Sequence, residues 1–291
     1  MPAAVPEHAP KEDKAIAELI NKGLDSRQLF RAAFTFHQHE LSRRLARHGE
    51  TTIRSGLFKG TILNPESFSS TYSPKYIGTY EREVQNHLAS INTPIDCFLN
   101  IGCADGYYVA GIARWRRIPC IGVDIDPRCP AAIAHVGQVN GVSDLVAFSA
   151  SISKAVTKLS GSALILIDVD GAESKVLREL LDALTKNPSI KHVHLILETD
   201  QNTEGGGMNH PNLIRTLCAE NWSIERLLLQ DPNQRFLPCY SHLSFLQQVA
   251  LAAEGRPGGQ SWIVAQRAYT CLLYTSPSPR DRTRSRMPSS A

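Results

Sequence analysis

Residues 100–108 read Asn100-Ile101-Gly102-Cys103-Ala104-Asp105-Gly106-Tyr107-Tyr108. They follow a short apolar run and open a segment with helical spacing, so they predict a small-residue loop between a strand and a helix. In such a loop the backbone N–H groups can approach a ligand closely, and the start of the helix is electropositive. The stretch therefore predicts a site for a nucleotide-type cofactor in an α/β fold.

The spacing of the small residues distinguishes between cofactors. The dinucleotide fingerprint G-x-G-x-x-G would need a small residue at position 107, which is Tyr. Glycines stand instead at 102 and 106 with Ala104 between them, which resembles the G-x-G-x-G variant of class I S-adenosylmethionine-dependent methyltransferases. The next apolar run ends in Asp124, whose carboxylate could accept hydrogen bonds from both ribose hydroxyls.

From residue 97 onward, short apolar runs alternate with helical stretches. This alternation predicts βαβ units and a doubly wound, mostly parallel α/β sheet. We expect seven strands, at residues 97–101, 120–123, 145–148, 163–167, 193–197, 223–229 and 261–266. Near-continuous apolar character in the first five fits strands that are covered on both faces.

The chain divides into four expected parts. Residues 1–12 are rich in Pro and Ala and are expected to be disordered, and residues 13–94 are expected to form a helical extension and lead-in segment. Within that extension, residues 26–48 carry an apolar stripe at helical spacing, which must bury one face. Residues 95–270 form the expected methyltransferase domain, and residues 271–291 form a tail.

The tail lacks apolar periodicity, and its opening run resembles one reading frame of a transposon-derived sequencing adapter. We expect it to be non-native, a natural disordered tail being the alternative. It contains four Arg and one Asp, so the remaining chain has 27 basic and 27 acidic residues and offers no basic patch for nucleic acid.

No apolar run reaches the roughly 20 residues of a membrane helix. We expect a cytoplasmic protein with no membrane partner; its oligomeric state is not predicted.

Three stretches resemble one branch of the superfamily, the FkbM-type methyltransferases, and the resemblance runs from about Ser55 to Gln266. The stretches are residues 75–83 (KYIGTYERE), residues 100–108 and residues 167–173 (IDVDGAE). The resemblance implies S-adenosylmethionine as cofactor, with these residues around it: Glu81, Asn100, Gly102, Cys103, Ala104, Gly106 and Asp124. Asp170 replaces a usual Glu of the family, and Asn100 replaces a usual acid.

Acidic residues follow strands four and five, whose carboxyl ends meet at the edge where ligands bind in such sheets. Asp170 and Glu198 are our catalytic candidates, whereas Asp168 is explained at least as well by capping of a loop or helix. A carboxylate is a weak base for an alcohol, so a histidine or a divalent cation would have to assist. His210 follows a glycine-rich segment, which is either a lid that carries a base or an ordinary loop. Asp200, with Asp170 and Glu198, would suit Mg²⁺, but the resemblance does not require a metal.

The resemblance implies O-methylation of a small molecule or glycan. Two alternatives remain at this point: an N-methyltransferase acting on a macromolecule, and a cofactor-binding protein that has lost catalysis and serves as a partner in a complex.

Overall fold

A computed structural model describes residues 11–26, 28–29, 32–34, 36, 42, 51–65, 67–68, 70–199, 210–235, 244, 248, 254 and 260–269. Predictions for residues 1–10, for the tail, for Asp200 and for the glycine-rich segment before His210 lie outside these residues, and residues 11 and 12, expected to be disordered, begin a helix. The same holds for most of the predicted helix at 26–48, although its described residues are helical.

The sheet contains all seven predicted strands, each within three residues of its expected bounds. They are β1 (Cys97–Ile101), β2 (Cys120–Val123), β3 (Val146–Ser149), β4 (Gly161–Ile167), β5 (Ile190–Thr199), β6 (Ser223–Leu229) and β7 (Ser261–Ala268). Their order is β3-β2-β1-β4-β5-β7-β6. Strand β7 runs antiparallel to β5 and β6, while the other pairs are parallel. The expected doubly wound, mostly parallel sheet is confirmed.

The described helices alternate with the strands as expected. They are α1 (Lys11–Asn21), α2 (Tyr72–Ile77), α3 (Arg82–Ser90), α4 (Tyr107–Arg116), α5 (Cys129–Val139), α6 (Ile152–Val156), α7 (Glu173–Thr185) and α8 (His210–Ala219), with a 3₁₀ turn at Pro232–Arg235. None of the described helices is long and apolar enough to cross a membrane.

Successive side chains of a strand point to opposite faces of the sheet, and both faces are buried here. On one face, Phe98 and Trp262 pack with residues of α4 and α5. On the other face, Leu99 and Ile263 pack with residues of α6, α7 and α8. This double covering explains why the central strands are apolar at nearly every position.

The lead-in segment from residue 51 to residue 94 belongs to the first of these layers. Its Ile53 and Phe58 are 1% and 2% exposed and join the same apolar cluster as Phe98. The segment therefore packs directly on α4 and the sheet, and it carries residues 75–83 to the edge at which β1 ends.

Candidate active site

The loop between β1 and α4 follows a left-handed path. Gly102, Ala104 and Gly106 have φ values of 84°, 45° and 86°. A Cβ atom at Gly102 would lie 1.6 Å from the carbonyl oxygen of Asp168, so only glycine lets this loop pack against the end of β4. The sequence prediction of a tight small-residue loop is confirmed.

Asp124 follows β2 and holds this loop in place. Its Oδ2 atom accepts a hydrogen bond from the Ala104 N–H at 2.8 Å, and its Oδ1 atom accepts one from the Asp126 N–H at 2.9 Å. Each carboxylate oxygen can accept more than one hydrogen bond, so both keep capacity for a ligand hydroxyl. The structure thus places Asp124 at the loop, as the sequence led us to expect.

Ile125, which is not among the site residues predicted from the sequence, comes next and is fully exposed at 101%. It offers an apolar surface at the mouth of the loop. Because single exposed apolar residues are common on protein surfaces, no signal in the sequence could have identified it.

Asn100, in β1, is 2% exposed, and its Nδ2 atom is buried without a hydrogen-bond partner among the described residues. A buried amide nitrogen without a partner is unusual, because its lost hydration is normally replaced by a hydrogen bond. A polar ligand at the end of β1 would supply the missing acceptor.

Cys103 contributes its backbone to the loop, while its side chain turns inward. It is 3% exposed, and a Cβ atom added at Gly122 would meet its Sγ at 2.8 Å. Burial raises the pKa of Cys103 far above its usual range, with smaller contributions from Cys129 and Asp124. The contact of Cys103 with a cofactor stays a prediction, and it would have to be made by main-chain atoms.

A buried ion pair joins the loop to the lead-in segment. Lys75 Nζ lies 2.7 Å from Asp105 Oδ2, and the Ser67 hydroxyl donates to the same oxygen at 2.7 Å. Lys75 also lies over the Tyr80 ring, 5.3 Å from its centroid. The two charged residues are separated by 30 positions, so their pairing could not be predicted from the sequence.

Glu81, expected at the cofactor, is 1% exposed and has a left-handed φ of 45°. Its backbone N–H donates to Glu254 Oε1 at 2.8 Å, and the Tyr108 hydroxyl donates to its Oε2 at 2.5 Å. Burial, and after it the charge of Glu81, raises the pKa of Tyr108 well above its usual value, so this hydroxyl remains a donor. Glu81 is thus held in one orientation.

A second buried ionic network contacts the backbone of Glu81 through Glu254. Arg235 lies 2.6 Å from Glu83 Oε2 and 2.5 Å from Glu254 Oε1, and all of these side chains are at most 4% exposed. Glu254 therefore links Arg235 to the backbone of Glu81. The members of this network lie up to 171 positions apart, so no local pattern in the sequence predicted it.

Three carboxylates meet where β4 and β5 end. Glu81, Asp168 and Glu198 each place an oxygen within 4.8 Å of the other two. Asp168 directly follows β4, and Glu198 lies in β5, which is the strand next to β4 in the sheet. From the sequence, Glu198 is predicted at the acceptor and Glu81 at the cofactor, while capping explains Asp168 at least as well as catalysis does. The structure brings the three together.

The other two catalytic candidates lie differently. Asp170 is exposed in a left-handed turn with φ 39° and is not among these three carboxylates. Next to it, the Gly171 N–H donates to Glu173 Oε1 at 2.6 Å, which closes the turn before α7. His210 is the first residue of α8. The catalytic roles of Asp170 and His210 stay predictions.

No protein-family model and no curated protein match the chain. Several solved structures share part of its layout. A SAM-dependent methyltransferase from Geobacter sulfurreducens, solved with S-adenosyl-L-homocysteine, is 15% identical with a TM-score of 0.42, over 65% of this chain and 91% of that one. A precorrin-6y C5,15-methyltransferase from Geobacter metallireducens is 11% identical with a TM-score of 0.45, over 72% and 97%. A human methyltransferase 10 domain containing protein is 13% identical with a TM-score of 0.44, over 80% and 97%. Likeness at this level assigns neither cofactor nor acceptor to the chain.

Proposed function

We propose that the chain is an S-adenosylmethionine-dependent methyltransferase that methylates a hydroxyl group of a small molecule or glycan. The observation that carries the proposal is the arrangement at the end of β1 and β2. There the Asp124 carboxylate faces the Gly102–Gly106 loop, and Asn100 keeps a buried amide nitrogen that has no partner within the described part of the chain.

The residues at this edge fit the parts of S-adenosylmethionine. Asp124 would accept hydrogen bonds from the ribose hydroxyls, and Ile125 would lie against the adenine. Asn100 Nδ2 would donate to the methionine carboxylate, and Glu81 would face the methionine ammonium. The bound cofactor supplies a methyl group on a positively charged sulfur, which makes it transferable.

The acceptor side of the site would lie beyond β4 and β5. In a doubly wound sheet, ligands bind outside the carboxyl ends of the strands, and Asp168 and Glu198 stand at that edge. These carboxylates would hold the acceptor hydroxyl in line with the methyl group, and Glu198 would accept the hydroxyl proton as the new carbon–oxygen bond forms. His210, at the start of α8, is the other candidate for this proton.

The choice of a hydroxyl acceptor follows the FkbM resemblance of residues 75–83, 100–108 and 167–173. The neutral charge of the chain without its tail gives no support to a nucleic-acid substrate.

Calorimetry with S-adenosylmethionine and S-adenosylhomocysteine tests the cofactor directly. We expect both to bind the purified chain. A screen of hydroxylated small molecules and glycans with methyl-labelled cofactor then tests the acceptor, with amines as the comparison set. Absence of binding by both cofactor forms would refute the proposed function, and transfer to amines alone would refute the hydroxyl assignment.

A further inference from the structure

Two thiols and one carboxylate meet beside the glycine loop. Cys103 lies in the loop, Asp124 follows β2, and Cys129 is the first residue of α5. Each of the three places one ligand atom within 4.8 Å of the other two. We infer that this group, called the dithiol site below, binds a divalent cation that takes sulfur ligands, such as Zn²⁺, and that the bound ion excludes the cofactor.

The ligand atoms of the dithiol site match zinc in type and in spacing. Zn²⁺ binds thiolate sulfur at about 2.3 Å and carboxylate oxygen at about 2.0 to 2.2 Å, with tetrahedral geometry. Two ligand atoms of such a tetrahedron are about 3.6 to 3.8 Å apart, which small rotations of the three side chains would reach. Two sulfur atoms also separate this site from the all-oxygen sets that suit Mg²⁺ or Ca²⁺. The fourth position would be open to water.

The charge of Asp124 is a second indication, independent of the sulfur atoms. Its carboxylate is half-buried, and no Lys or Arg side chain within the described part of the chain forms an ion pair with it. The backbone N–H groups of Ala104 and Asp126 donate to its two oxygens. Hydrogen bonds of this kind orient a metal ligand but leave its charge uncompensated. A divalent cation would supply the counter-charge.

The two thiols would bind the ion as thiolates. Cys103 and Cys129 are 3% and 0% exposed. Burial, and after it the charge of Asp124, raises the pKa of Cys129 to about 12, so the thiol keeps its proton while no cation is near. A coordinated metal ion deprotonates its thiol ligands. Binding of one Zn²⁺ would therefore form two zinc–sulfur bonds and one zinc–oxygen bond, and release two protons to solvent.

Exclusion of the cofactor rests on the proposed function, in which Asp124 accepts hydrogen bonds from both ribose hydroxyls. A carboxylate has about four lone-pair sites. Two of these accept the backbone N–H groups of Ala104 and Asp126, so the ribose would need the remaining two. A cation takes at least one of them. The ion and the cofactor therefore compete for the same carboxylate, and the cation would act as an inhibitor.

Titration of the reduced, cofactor-free full chain with Co²⁺ alone tests the dithiol site. Co²⁺ replaces Zn²⁺ in such sites, and a cobalt–thiolate bond gives a charge-transfer band in the ultraviolet. We expect this band in the wild-type chain, and we expect Cys129→Ser to weaken Co²⁺ binding by about 10-fold or more. Cys218→Ser is the control, because it removes an exposed thiol of α8. Absence of the band in the wild-type chain overturns the inference, and so does equal Co²⁺ binding by both variants.

A replacement variant keeps this test decisive. Should Cys129→Ser fail to fold, as judged by its thermal transition, Cys103→Ser takes its place. Its control is Cys120→Ser, which changes an equally buried thiol outside the dithiol site.

Calorimetry with S-adenosylhomocysteine, in the presence and absence of Zn²⁺, tests the competition. We expect saturating Zn²⁺ to lower the affinity of the wild-type chain by about 10-fold or more, and to leave that of Cys129→Ser unchanged. An affinity of the wild-type chain that Zn²⁺ does not change would overturn the exclusion of the cofactor. Absence of S-adenosylhomocysteine binding without metal would refute the proposed function, whereas the Co²⁺ band would still decide the cation site, so the two failures are distinguishable.

Discussion

Lys75 Nζ lies 2.7 Å from Asp105 Oδ2, and the two side chains are only 3% and 8% exposed. A residue of the lead-in segment therefore neutralises the acid inside the glycine loop. The pairing makes residues 51–94 a structural part of the candidate site, because the loop cannot keep a buried carboxylate without its counter-ion.

Lys75→Met should destabilise the fold, because it leaves Asp105 buried without its cation. Loss of one partner of a buried pair costs about 3 to 5 kcal/mol. Urea unfolding measures the change. Arg128→Met is the control: Arg128 pairs with Asp126 at 2.6 Å but is 60% exposed, and such pairs contribute at most about 1 kcal/mol. Equal effects of the two substitutions would contradict the structural role of Lys75.

Asp124→Ala should weaken S-adenosylhomocysteine binding by about 10-fold or more, since a charged acceptor of hydrogen bonds is lost. It should leave the sheet intact, because Asp124 follows β2 and is only partly buried. Calorimetry measures the affinity. Asp144→Ala, an exposed acid before β3, should leave the affinity unchanged; equal affinities of the two variants would exclude a ribose contact by Asp124.

Gly102→Ala should disrupt the site, because its Cβ would lie 1.6 Å from the Asp168 carbonyl oxygen in a left-handed backbone. The matched variant is Gly141→Ala, which has φ 63° and no atom near its added Cβ. We expect the second variant to lose about 1 kcal/mol of stability and the first one more. Thermal unfolding and cofactor binding of both variants check this.

Glu198→Gln should lower kcat far more than it lowers cofactor affinity, because Glu198 lies at the end of β5 and away from Asp124. We expect kcat to fall by about 100-fold or more, because the substituted group accepts a proton during transfer. Asp170→Asn, predicted from the sequence to behave in the same way, is the comparison. If both amide variants keep the kcat of the wild type, these acids are structural and the proton acceptor lies elsewhere.

Acid should destabilise the protein below about pH 6.5 through two histidines. Burial lowers the pKa of His87 and of His194 from 6.5 to about 4, with smaller effects of Arg226 on the first and of His192 on the second. Because the unfolded chain takes up these protons first, the stability that both neutral histidines provide is present above pH 6.5 and is lost as pH falls towards 4.

The loss should amount to about 1 to 3 kcal/mol for each histidine. His194→Gln should flatten the dependence of the unfolding free energy on pH between 6.5 and 5, and the exposed His135→Gln should leave it unchanged. Identical pH profiles for wild type and His194→Gln would refute the assignment.

The sequence by itself determined the strands, the glycine loop and the acid that follows β2. These features depend on local signals: apolar runs bounded by turns, small residues where φ is positive, and an acid at a fixed place after a strand. Gly102 illustrates why such signals are dependable, since the conformation that the loop requires is open to few other residues.

Only the tertiary structure decided which distant residues meet. The antiparallel insertion of β7 between β5 and β6 brings Gln260 to Glu198, and the packing of the lead-in segment brings Lys75 to Asp105 and Glu81 to Asp168. Periodicity and spacing report the neighbourhood of each residue along the chain, whereas these contacts arise from the way whole layers bury their apolar faces. Packing also decides the direction in which a side chain points. Cys103 turns into the core because Gly122 leaves room for its sulfur.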